Sequence, residues 1–158
     1  MKVYQVADKA SNEILGEFYL DLHPRDNKYG HAAVFPLLKR AKIDGQIMKP
    51  AAAMVTNFDK PTSDKPSLMQ HKEVTTFFHE FGHVMHNLCS EANYKKFSGT
   101  STERDFVELP SQMLENWMWD KEVIHKVSKH YETGEKLPEE NLVQMEKVRR
   151  ANQATETL

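Results

Sequence analysis

The apolar positions of this chain change period once, near residue 70. Before that point they lean towards alternation. Lys2 to Ala7 is a short β-leaning run, Ser11-Asn12 marks a turn, and Ile14 to Leu22 puts Phe18, Leu20 and Leu22 on one face. His31 to Leu38 and Ala52 to Phe58 are two further strand candidates. Pro36 lacks an N–H to give to a ladder, which predicts an edge strand or a strand end for the first of them. Asp21 to Gly30 and Asp59 to Ser67 are crowded with turn-forming residues and predict loops.

Beyond residue 70 the spacing becomes three and four. Val74, Phe77, Phe78, Phe81, Val84, Met85 and Leu88 predict a buried amphipathic helix over about Lys72 to Ser90. Phe97 to Ser101 breaks the pattern. A second helical stretch runs from about Glu103 to Lys129, with Phe106, Leu109, Met113, Trp117 and Val123 among its apolar positions. Pro110 predicts a kink there or a fresh start. Gly134 and Pro138 close that stretch, and Glu139 to Arg150 predicts a last helix. The expected class is mainly α with a small β-sheet (α+β). One of Trp117 and Trp119 is expected in the core and the other partly exposed. Cys89 is expected as a small buried hydrophobe.

Composition narrows the function. The 158 residues suit one domain of ordinary size. With 21 basic and 23 acidic residues, the net charge of −2 offers no electrostatic case for nucleic acid or an anionic membrane as partner. The apolar runs are far too short for a transmembrane span, and no apolar h-region of a secretory signal follows Met1. A lone Cys89 makes no internal disulfide, which points to a reducing compartment.

The chemistry concentrates in His79-Glu80-Phe81-Gly82-His83. Residues four apart lie one turn above each other on a helix, so both imidazoles face one point and can share a zinc ion at ~2.0–2.1 Å. Glu80, about 100° round the helix, can reach a zinc-bound water without ligating the metal and take its proton. An ionisable cluster on an otherwise apolar helix is costly unless something uses it. The metzincin extension is absent: its glycine and final histidine positions hold His86 and Cys89. His86 shares the histidine face but lies about 10 Å of rise from His79, which predicts a packing or supporting role. A carboxylate from a second helix is the remaining route to a third ligand. Glu91, Glu103, Glu108 and Glu115 are the candidates. Glu108, set among apolar residues, is expected to be buried and in need of a partner. Glu115, two turns on, can accept a bond from a ligating imidazole. Spacing favours Glu108 over Glu115 only modestly.

Longer stretches carry a resemblance. His79 to His86, Phe97 to Thr100, and Glu103 to Trp117, which includes Glu108-Leu109-Pro110-Ser111-Gln112, closely resemble the thimet oligopeptidase and neurolysin family of zinc peptidases. So do Phe18 to Leu22, Lys28 to Ala33, Pro66 to Leu68 and His130-Tyr131-x-Thr133-Gly134, and the similarity reaches about Asn152. The resemblance implies zinc held by His79, His83 and Glu108, with Glu80 as general base. It implies a gluzincin-type catalytic core that cleaves short peptides in their interior, with the strand at Ala52 to Phe58 bordering the cleft and pairing with substrate. Residues 1–158 then read as a partial catalytic domain, strand-rich over 1–58 and zinc-binding over 68–158. Family members are several times longer, and their later His- and Tyr-rich segment, which stabilises the oxyanion, has no counterpart here. The ending Gln153 to Leu158 drifts from the family pattern. Two outcomes are therefore expected: an oligopeptidase, or a catalytically silent zinc-binding fragment that partners the missing remainder of the enzyme. The cytoplasm is the expected location, with the mitochondrion as alternative.

Overall fold

The computed structural model describes residues 1–153, so all of the drifting ending Gln153 to Leu158 except Gln153 lies outside the described residues. The contacts fall into two compact units, one spanning Met1–Glu115 and the other beginning at Asn116.

The first unit is built on a four-stranded sheet in the order β1-β2-β6-β3. Strands β1 (Lys2–Ala7) and β2 (Ile14–Asp21) form an antiparallel hairpin with Lys2 opposite Leu20. Its turn holds Asn12 at φ 58°, and the Asp8 carboxylate accepts from the backbone N–H groups of Ala10 and Ser11 at 3.0 and 2.8 Å. Strand β6 (Ala51–Val55) runs parallel to β2 on one side and antiparallel to β3 (Ala33–Leu38) on the other. Pro36 thus sits on an edge strand, where a missing donor costs least. The same order corrects the expectation for Ala52 to Phe58. Its ladder bonds are already made on both sides, so β6 has no free edge to offer a substrate backbone.

One hairpin lies outside the sequence reading. Strands β4 (Ala41–Ile43) and β5 (Gln46–Met48) pair through Asp44 and Gly45, whose φ values of 49° and 81° are those of a two-residue I′ turn. The Asp-Gly pair was the available signal, and the strands are too short to show a period. The loop after β2 is held by Lys28, whose side chain is only 3% exposed. Its ammonium donates to the carbonyls of Asp21, His23 and Thr56 at 2.9, 2.7 and 2.5 Å.

Helix α1 (His71–Leu88) lies on the sheet. Its first turn is closed by Glu73, whose carboxylate accepts from the Gln70 N–H at 2.7 Å. Phe18, Leu20 and Met54 of the sheet form the core with Val84 and Leu88 of α1, and Leu22, Phe77 and Phe81 flank them. Burying such side chains contributes about 1.5–3 kcal/mol each. Cys89 caps the helix and is exposed rather than buried. A 3₁₀ turn follows at Lys95–Phe97.

The predicted stretch from Glu103 to Lys129 divides. Turns occupy its start, and α2 (Leu109–Trp117) begins with Pro110 as its second residue, so the proline marks a fresh start. In the second unit, Asp120 caps α3 (Lys121–Val127) by accepting from the Val123 N–H at 3.1 Å, and α4 spans Glu139–Gln153. Its buried apolar side chains are Met118, Ile124 and Leu142. Neither tryptophan is core: Trp117 is 54% exposed, and partly exposed Trp119 lies under the Arg149 guanidinium at 4.8 Å. Among the described residues no helix is long and apolar enough to cross a membrane.

Candidate metal centre

The two faces of α1 differ. Phe77, Phe81, Val84 and Leu88 turn to the sheet, while His79 and His83 lie on the opposite side. The chain approaches that side closely at Ser111. Gly82 allows it: a Cβ there would overlap the Ser111 Cα and come within 2.7 Å of the Pro110 carbonyl oxygen. Ser111 is fully buried at this contact.

The approach delivers Glu108, just ahead of α2, to the histidines. Its Oε2 lies 3.3 Å from His79 Nε2 and 3.1 Å from His83 Nε2. The three ligand atoms lie within 4.8 Å of one another. Four ligands held tetrahedrally at ~2.0–2.1 Å from a zinc ion stand roughly 3.3 Å apart. The donor set and its spacing therefore fit such an ion. Glu108 is not buried as expected, since 47% of its side chain is exposed. It is partnered nonetheless: the Ser111 hydroxyl stands 2.9 Å from its Oε2 and 2.8 Å from its carbonyl oxygen, serving one acceptor at a time.

Charge tells the same story. Both ring nitrogens of His79 face carboxylate oxygens, Nε2 towards Glu108 and Nδ1 towards Glu115 at 3.0 Å. A neutral imidazole donates only once. The second contact is favourable only with a further positive charge, a proton or a metal ion. Burial holds the His83 imidazole below its usual proton affinity, against the raising effect of Glu108. A neutral ring is the form that ligates. His83 Nδ1 is buried with no partner among the described residues. Glu80, half-buried beside this cluster, has its carboxyl pushed up, first by burial and also by the charge of Glu108, against the lowering effect of His79.

Of the other candidates, His86 packs its ring against Phe106 at 6.1 Å and is not one of the converging group. Glu91 and Glu103 are likewise not among the converging side chains. Phe106, Leu109 and Met113 are each about half exposed, at 48, 52 and 48%. In the sequence the Ser111 contact shows only in its place between two glutamates and in Gly82. Gly82, inside a helix, was the one hint of a close backbone approach.

A helix bearing two histidines four residues apart, met by a glutamate ahead of a second helix in an α+β unit, defines the class of proteins that hold one metal ion on a His-Glu-x-x-His helix. The model of peptidase family M3 matches residues 1–158, and the chain belongs to that family. It is 55% identical over 142 residues to the thimet-like oligopeptidase of Dictyostelium discoideum, a match covering 87% of this chain and 21% of that protein. It is 47% identical over 158 residues to saccharolysin of Saccharomyces cerevisiae, covering 99% of this chain and 22% of the relative. Oligopeptidase A of Escherichia coli is 44% identical over 147 residues, covering 92% and 22%. The chain thus spans about a fifth of the length of these relatives.

Proposed function

We propose that this chain is the zinc-binding centre of a gluzincin-type metalloendopeptidase that hydrolyses short oligopeptides. The observation that carries the reading is the convergence of one ligand atom each from His79, His83 and Glu108 within 4.8 Å, Glu108 Oε2 lying 3.3 and 3.1 Å from the two Nε2 atoms, with Glu80 alongside on the same helix. The names of its relatives, oligopeptidases among them, support the substrate class. A zinc ion held there supplies a Lewis acid for the scissile carbonyl and lowers the pKa of a bound water to about 7.

The side chains divide the remaining work. His79 and His83 offer neutral nitrogen donors and Glu108 a carboxylate oxygen, a set with net charge −1 before metal arrives. Glu80 does not ligate. Its burial raises its affinity for a proton, which suits a base that must take one from the attacking water and hand it to the departing amine nitrogen. A positioned base of this kind contributes about 10²–10⁴-fold in rate.

The test is cleavage of an internally quenched oligopeptide by the purified chain, with and without zinc, beside Glu80→Gln. Zinc-dependent turnover that drops about 10²–10⁴-fold in the variant supports the reading. Zinc binding without turnover assigns the chain to the alternative, a metal-holding fragment whose catalysis needs further polypeptide. A folded chain that binds no zinc overturns both.

A further inference from the structure

We infer that Glu115 is a positioning residue for His79: by accepting the Nδ1 proton it turns the bare Nε2 towards the metal position. The inference rests on the proposed zinc-centre reading and extends it to a residue outside the ligand set. Glu108, Ser111 and Glu115 stand at spacings of three and four, so Glu108, just ahead of α2, lines up with the face that carries Ser111 and Glu115. Glu115 Oε2 lies 3.0 Å from His79 Nδ1. An ionised carboxylate only accepts, so the facing ring nitrogen carries the proton. The ring has a competing choice. Its Nε2 stands 3.3 Å from Glu108 Oε2, and a proton placed there would satisfy that contact and block ligation. Glu115 decides between the two tautomers. The other ligating ring has no such device, because His83 Nδ1 is partnerless among the described residues. Among the described residues, then, one imidazole is braced and the other is not. At 39% exposure, Glu115 is not a core residue whose loss would unfold the unit.

Two measurements on the full chain test this. The first is long-range ¹H–¹⁵N NMR of the metal-free protein in alkaline buffer, where the ring carries a single proton, and it reports the nitrogen that holds it. In wild type His79 Nδ1 is expected to be protonated; in Glu115→Ala the proton moves to Nε2. The second is zinc affinity by competition with a chromophoric chelator, in which Glu115→Ala is expected to lose about 10–100-fold. Glu115→Gln keeps an acceptor of the same length and should restore the tautomer and part of the affinity, which a merely space-filling role would not require. A His79 Nδ1 still protonated in the alanine variant, with zinc affinity within twofold of wild type, overturns the inference. Should wild type bind no zinc while the proton still shifts in the variant, the positioning role stands and the zinc reading falls.

Discussion

The two sides of α1 obey different rules. On the sheet side, Phe77, Phe81, Val84 and Leu88 gain free energy from leaving water, and any apolar group of similar volume would serve nearly as well. On the other side, His79 and His83 lose hydration and are met by carboxylate oxygens at specific atoms, and Glu80 beside them bears a desolvation cost that raises its carboxyl. One helix thus carries a face that depends on area and a face that depends on geometry. The first should tolerate small shifts that the second does not. Substitutions ought to separate them, fold from one side and metal from the other.

The largest effect is expected on the apolar side. Leu88→Ala should cost about 2–5 kcal/mol in denaturant unfolding, because Leu88 is 1% exposed and packed against β2. Zinc affinity of the folded fraction should hold within a few-fold; a parallel collapse of affinity would show that the faces are not separable. Gly82→Ala comes next. Its Cβ meets backbone atoms of Pro110 and Ser111 that cannot step aside, so a loss of roughly 1–3 kcal/mol is expected despite alanine's better helix propensity. Zinc affinity should fall with it, since the clash pushes Glu108 from the histidines. A variant as stable as wild type that binds zinc equally well would break the geometric side of the comparison.

Ser111→Ala sharpens the same side. It removes the hydroxyl 2.9 Å from Glu108 Oε2 and should weaken zinc binding by about 1 kcal/mol, read by chelator competition. The smallest effects follow from proton linkage in the metal-free protein. Burial lowers His83 and His86, so the folded state prefers them neutral. Their contribution is complete above the ordinary imidazole range, and melting temperature should decline as pH falls through it. Glu80 has the opposite sign. Its raised pKa means the folded state prefers the acid, so stability is lost as pH rises from the ordinary carboxylate range through the raised value above it. Glu80→Gln should then melt slightly higher than wild type at neutral pH, with the difference vanishing in acid. A lower melting point at neutral pH would show that ionised Glu80 is instead stabilised by its neighbours.

Legibility followed the same division. The strands β1, β2, β3 and β6 and helix α1 lie where alternation and the three–four spacing predicted them, to within a few residues. Burial of one face is a local demand that each residue states for itself. Helical spacing overstates burial in one stretch. Phe106, Leu109 and Met113 follow helical spacing yet stand about half exposed, because spacing says which residues share a face and not whether anything covers it. Met118, between two larger aromatics, is the buried residue of its segment, so burial there does not follow side-chain size or helical spacing.

By itself the sequence determined the period of each major element, the turn of helix shared by His79 and His83, the place of Glu80 beside them, and membership of the family. All of these depend on intervals of a few residues or on long matched stretches, and the backbone's own geometry converts such intervals into position. Only the tertiary structure decided that β6 is interior, that the chain at Ser111 comes close enough at Gly82 to set Glu108 Oε2 3.1–3.3 Å from both imidazoles, and that Glu115 faces the far nitrogen of His79. Those distances join residues 25 to 36 positions apart. No local periodicity encodes them; they follow from how two packed surfaces exclude each other's atoms.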